Sequence, residues 1–212
     1  MTLPAPLAPV QSVKKLDMRL AVAIPTLSNW RGLQALGDHL WAEGLGHDTY
    51  VFDRGHSTAK GRGVLGGFVN VVDARKWPFC QTLNEGWRRS AEAGYDVIAF
   101  LDDGIRLPFG GLASAAQIFV ERPEVGVVGL NWKRQVADGQ VPDFSVKDVV
   151  AAQRRGGIPS WAFLLRCSLW GTVSPVHEAH QVCYGVDELL ALVKQHGFRT
   201  VLAAGVPVSR ET

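Results

Sequence analysis

The chain is poor in the residues that staple, anchor or strongly charge a protein. Its 212 residues include three cysteines, Cys80, Cys167 and Cys183. That odd number, with no C-x-x-C pair, argues against a disulfide framework and reads as reduced thiols. No apolar run approaches the roughly 18 residues that cross a bilayer. The opening stretch MTLPAPLAPVQSVKK puts its charges after its apolar part and is broken by prolines, unlike a secretory signal. A cytoplasmic protein without a transmembrane segment is therefore expected. Charge of one sign is missing too: 22 Lys and Arg face 20 Asp and Glu, and the basic residues are scattered. No nucleic-acid partner is expected from that balance. G-x-S-x-G and HExxH are absent, which removes the usual hydrolase motifs.

What is present is a globular composition, 47% hydrophobic and 20% charged, in a chain long enough for a full core. Residues 1–17 are Pro- and Ala-rich and read as a tail. Residues 18–212 read as one domain. Arg19–Pro25, Thr49–Asp53, Phe68–Val72 and Asp96–Leu101 have the short apolar form of buried strands. Helical spacing or helix punctuation marks Trp30–Glu43, Cys80–Ala93 and Leu112–Arg122. Further strands are expected at Val125–Leu130, Ser160–Leu165 and Thr200–Ala203, and helices at 145–154 and Asp187–His196. The Gly-rich stretch 54–67 reads as a mobile loop, because it lacks a P-loop ending. Alternation of strand and helix predicts an α/β domain, Rossmann-like, with a mainly parallel central sheet flanked by helices.

Asp102 and Asp103 directly follow the strand ending at Leu101. Carboxylates at the carboxyl end of a parallel strand occupy the edge where open α/β sheets bind ligands. There they can hold a cation against a diphosphate or accept from ribose hydroxyls. A solvated Asp-Asp-Gly turn is the competing reading. His177, His180 and Cys183 have H-x2-H-x2-C spacing, but no fourth ligand is evident for a zinc site.

Seven fragments occur in an order that resembles glycosyltransferase family 2. They are RLAVAIPTLSN (19–29), VFDRGHST (51–58), FCQTLNEG (79–86), FLDDGI (100–105), PEVGVVG (123–129), the strand within 161–169, and YGVDEL (184–189) with GFR (197–199). The resemblance implies a GT-A fold and transfer of a sugar from a nucleotide diphosphate sugar to a hydroxyl of a glycan, protein or small-molecule acceptor. It implies a donor site at Pro25, Thr26, Asn29, Asp53, Asn84, Asp102 and Asp103. It also implies an acceptor pocket near Trp161, Trp170 and His177. An inverting base is implied at Asp187, with Glu188 as the alternate, at a helix start where the dipole favours a carboxylate.

The chain departs from the family at two positions that concern one ion. The family's Asp triplet ends here in Gly104, and the family's terminal His is replaced by the stretch VPVSR (206–210). The divalent cation, Mn²⁺ or Mg²⁺, is thus left to Asp103 and is expected to be weakened or absent. Arg210 or Arg106 is the candidate to neutralise the leaving diphosphate in its place. The alternative is a non-catalytic nucleotide-sugar-binding module. A nucleotidyltransferase ranks lowest, since PTLSN (25–29) stands where its Gly-rich signature would be.

Overall fold

The structure is a computed structural model, and it describes residues 18–55, 59–132, 146–148, 158–178 and 182–210. For residues 132, 146–148, 182–184 and 210 it describes the backbone alone. The expected tail, residues 1–17, lies outside the described residues.

The first half alternates as its pattern requires. Strand β1 (Leu20–Thr26) leads to helix α1 (Trp30–Ala42), then β2 (Thr49–Asp53), α2 (Ala59–Leu65) and β3 (Asn70–Asp73). Helix α3 (Phe79–Glu92) returns to β4 (Val97–Leu101), and a two-residue strand β5 (Ile105–Arg106) follows. Then come α4 (Gly111–Glu121), β6 (Val125–Trp132), β7 (Val146–Asp148), β8 (Ala162–Arg166), α5 (Val182–Gln195) and the 12-residue β9 (Arg199–Arg210). The strands form one sheet in the order β3-β2-β1-β4-β8-β6-β9-β5, with β7 added against β9. β3, β2, β1 and β4 are mutually parallel, and so are β6 and β9. β8 runs antiparallel between β4 and β6 and joins the two parallel parts.

Strict alternation on the central strands divides the core in two. Leu20, Val22 and Ile24 of β1 and Val97, Ala99 and Leu101 of β4 face one side, where Leu33, Leu36 and Leu40 of α1 and Leu112 and Phe119 of α4 cover them. Ala21, Ala23, Ile98 and Phe100 face the other side, under Leu83 and Trp87 of α3 and Leu189 and Val193 of α5. Helices on both faces are what a parallel sheet needs, since neither of its faces can meet water. The small Ala21 and Ala23 let α3 approach closely. A Cβ at Gly86 would lie only 3.1 Å from Phe100 and 3.3 Å from Ala23. Gly94, with φ +75°, ends α3 in the left-handed region, as its place after the helix requires.

Four sequence expectations need correction. The stretch 54–67 is not all loop, because residues 59–65 form α2. Helix packing overrides its two glycines there: Gly61 and Leu65 are buried, α2 lies against α1, and Lys60 sits over the Trp30 ring at 5.4 Å. The third strand starts at Asn70, two residues later than expected. The helix expected at 145–154 is a strand at 146–148, stabilised by antiparallel pairing to β9; the rest of that stretch lies outside the described residues. Helix α5 starts at Val182, five residues before Asp187, so the acidic pair is not in its first turn.

Gly185 sits where α5 crosses the start of α3. A Cβ there would lie 2.1 Å from the Cys80 sulfur. Gly185→Ala is expected to destabilise the fold by about 1–3 kcal/mol in urea unfolding, as overpacking does. Combined with Cys80→Ala it should lose less than the sum of the two single variants, because the clashing atom has gone.

Candidate functional site

Chain order along the sheet reverses direction at β1. The chain moves outward through β2 and β3, then crosses back to place β4 on the other side of β1. Such a switch point opens a crevice at the carboxyl ends of the two strands. A cleft of about 280 Å³ lies there. Pro25, Thr26, Leu27, Ser28 and Asn29 line it from the end of β1, and Phe100 to Asp103 from the end of β4. Arg54, Phe79, Ser160 and Trp161 complete the wall.

The floor is a buried carboxylate. Asp103 is 7% exposed, and the Thr26 hydroxyl donates to its Oδ2 at 2.6 Å. The Asn29 amide donates to Oδ1 at 3.4 Å, while its own Oδ1 caps α1 by accepting from Gly32 N–H at 3.1 Å. Burial raises the Asp103 pKa above the ordinary carboxylate range, and the neighbouring Asp102 charge adds to the rise, against the Thr26 hydrogen bond. Asp102 is more open. Its Oδ1 accepts from Gly104 N–H at 3.2 Å, and its own N–H donates to the Trp161 carbonyl at 2.9 Å.

Of the donor residues expected from sequence, the structure gathers Pro25, Thr26, Asn29, Asp102 and Asp103 on this cleft. Asp53 ends β2 in register with Thr26 and accepts from Gly55 N–H at 2.9 Å, beside the cleft rather than on its wall. Asn84 is elsewhere. It is buried, and its amide both donates to and accepts from the Val176 backbone, at 2.8 and 3.0 Å. Arg210 has its backbone opposite Ile105, three residues past Asp102.

On the acceptor side, Trp161 lines the cleft. Trp170 does not, because it follows β8, which runs antiparallel to β4 and ends at the opposite edge of the sheet. There it stands edge-on to Trp87, with ring centroids 5.2 Å apart. His177 is exposed, and its backbone N–H donates to Glu188 Oε2 at 2.8 Å. Asp187 is exposed, and neither carboxylate of the pair lines the cleft.

Two features escaped the sequence reading. Phe79, one residue before the expected helix start, forms part of the wall. Arg54 is the second, and its Nε is shut off from solvent with no hydrogen-bond partner among the described residues. The family that the sequence resembles has Val-Val-Asp-Asp-Gly-Ser-Thr at this turn, where this chain has Asp53-Arg54, and that departure was the available signal.

The side chains do not make a ready metal site. Asp103 spends both oxygens on Thr26 and Asn29, and among the described residues no three His, Cys, Asp or Glu groups converge. His180 of the spaced His-Cys stretch lies outside the described residues. Cys80 and Cys167 are buried thiols outside any disulfide, and burial pushes the Cys167 thiol up to about 12.

No protein-family model matches the chain, and no curated protein matches its sequence. Solved structures do match its fold. GalNAc-T7, crystallised with UDP, GalNAc and Mn²⁺, superposes with a TM-score of 0.69 at 10% identity. The match covers 93% of this chain and 44% of that one, so the chain spans less than half of GalNAc-T7. Glucosyl-3-phosphoglycerate synthase from Mycobacterium tuberculosis, with Mn²⁺, UDP and glucosyl-3-phosphoglycerate, gives 0.65 at 12% identity over 98% of this chain and 79% of that one. A mycobacterial protein gives 0.66 at 14%, over 96% and 72%. The fold is the GT-A glycosyltransferase fold.

The Thr26–Asp103 bond yields a pH-dependent prediction. Asp103 holds its proton more tightly folded than unfolded. Its contribution to stability therefore falls as pH rises from the ordinary carboxylate range through the raised folded value. The Thr26 donor offsets that loss by favouring the charged form. Thr26→Val should cost about 1.5–3 kcal/mol at pH 7, and clearly less near pH 4, in urea unfolding at the two pH values.

Proposed function

We propose that the protein transfers a sugar from a nucleotide diphosphate sugar to an acceptor hydroxyl, with inversion, as family 2 glycosyltransferases do. The observation that carries this reading is the cleft at the β1–β4 switch point of a GT-A fold, with Asp102 and the Thr26–Asp103 pair at its base. A cleft at that edge suits a nucleotide, whose base, ribose and phosphates need apolar, accepting and cationic surface respectively. Pro25, Leu27 and Phe79 offer the first, Asp102 the second and Arg54 the third.

In the reaction the acceptor oxygen attacks the anomeric carbon. The bond from that carbon to the distal phosphate oxygen breaks, its electron pair leaves with the diphosphate, and the acceptor proton passes to a carboxylate. We assign that base to Asp187. Glu188 is engaged by the His177 backbone, whereas Asp187 is exposed one residue earlier on α5. The first turns of α5 lie against the start of α3, where Phe79 joins the cleft wall next to Cys80. Trp161, beside Asp102, offers an aromatic face to a sugar ring. UDP and Mn²⁺ are both present in the two named neighbours. Because the described side chains here do not fit a protein-held ion, no step above passes through one.

A second reading, a nucleotide-sugar-binding module without turnover, is favoured by the acidic pair not lining the cleft. Binding and turnover separate the two. A matching nucleoside diphosphate at 100 times its dissociation constant should stabilise the native state by about 2.7 kcal/mol, read as a rise in melting temperature. Asp187→Asn should keep that rise and lower kcat by about 10²–10⁴-fold. Unchanged kcat would move the base to Glu188 or elsewhere, and binding without any transfer would leave the module. No rise with any nucleotide would refute the donor reading.

A further inference from the structure

We propose that Arg54 is the group that holds the donor's diphosphate in this cleft, its guanidinium supplying the positive charge that a divalent ion would otherwise bring. The inference rests on the donor reading above and goes beyond it by naming the residue and the charge it answers.

Three observations converge on Arg54. It lines the same cleft as Asp102 and Trp161. Its backbone is fixed, because its N–H donates to the Thr26 carbonyl at 2.8 Å and it follows Asp53, whose carboxylate closes the turn onto Gly55. Its Nε is out of reach of water and has no partner among the described residues. A buried donor without an acceptor is rare in a native structure, and because water does not reach this Nε, the guanidinium must turn toward the cleft to meet a partner there. That partner should bring acceptor oxygens and negative charge, since a guanidinium is always charged and presents a planar fork of donors. A diphosphate has both, and bidentate pairing to phosphate is the geometry a guanidinium favours.

Charge in the cleft points the same way. In the family that the sequence resembles, carboxylates stand at the positions of Arg54 and Gly104. Two carboxylates fewer and one guanidinium more leave a cleft in which Asp102 and the buried Asp103 are the acidic wall residues. Asp103 is already committed to Thr26 and Asn29. A wall of that balance repels a diphosphate less than a wall of four carboxylates would, so less counter-charge is needed between it and the phosphates. Arg210, the cation favoured from sequence, has its backbone opposite Ile105, and its side chain is not among those described.

The test is titration calorimetry of the full chain in EDTA with UDP, GDP, ADP and CDP, and with the corresponding nucleosides. The wild type should bind one diphosphate without metal and prefer it to its nucleoside by at least tenfold. Arg54→Ala should weaken diphosphate binding by at least tenfold and leave nucleoside binding within twofold, so that the preference collapses. Arg54→Lys should recover part of it. Arg54→Gln, which keeps the side-chain stem without the charge, replaces the alanine variant if that protein melts early. Diphosphate binding by Arg54→Gln equal to wild type, or wild-type binding that appears only with Mn²⁺, overturns the assignment of Arg54 and leaves the donor reading standing. Failure of the wild type to bind any of the four diphosphates, with or without Mn²⁺, overturns both.

Discussion

The hydrogen bond from Thr26 to the Asp103 carboxylate joins the ends of two adjacent parallel strands where the sheet changes direction. The shape of the cleft depends on it. The 3.4 Å Asn29 contact and the tight approach of Gly32 to the Asp103 carbonyl join the same two loops beside it. A buried carboxylate is a costly tie, because it leaves water and carries its charge beside Asp102. Its value lies in orientation. With both Asp103 oxygens held inward, Asp102 is the carboxylate left facing the open side, and its own N–H is fixed by Trp161.

That arrangement gives the paired acids unequal roles that adjacency in sequence cannot show. Asp102 and Asp103 look equivalent in the chain, and the family resemblance favours Asp103 for the ion. Folded, they differ in burial: Asp103 is buried against Thr26 and Asn29, and Asp102 is partly exposed on the cleft wall. Asn84 illustrates the same limit. It looks like a polar helix-start residue beside a nucleotide, but its amide completes the backbone hydrogen bonds of Val176. A side chain that satisfies buried main chain 92 residues away leaves no local trace in the sequence.

Legibility followed the period of the hydrophobic pattern. β1, β2, β4, α1, α3 and α4 were readable within a residue or two, because the strands are short apolar runs buried along most of their length and the helices repeat one strong face. α2 was not, since two glycines in seven residues read as loop, and the contacts with α1 that hold it come from a distant segment. β7 was not, because three residues of a mixed stretch become a strand only by pairing with β9. The cleft was legible in Thr26, Asn29 and Asp102, which follow strands. Arg54 was passed over because the resemblance puts a carboxylate at its position, and an unpartnered Nε exists only in three dimensions.

The position of α5 relative to the cleft follows from contacts made by α3. Cys80 meets Gly185, Asn84 holds Val176, and Glu188 holds His177 in the segment between them. The first two contacts fix α5 and the loop before it to the helix whose first residue, Phe79, forms part of the cleft wall, and the third ties that loop to α5. A carboxylate carried on the second turn of α5 is thus referenced to the donor side through one rigid helix rather than through a free loop. General-base chemistry requires that kind of referencing, because proton transfer fails when the base drifts beyond hydrogen-bond reach. The early start of α5 therefore favours the reading it first disturbed. It withdraws the helix-terminus charge effect from Asp187, and it supplies a turn of helix packed on α3 that holds the carboxylate's backbone in place.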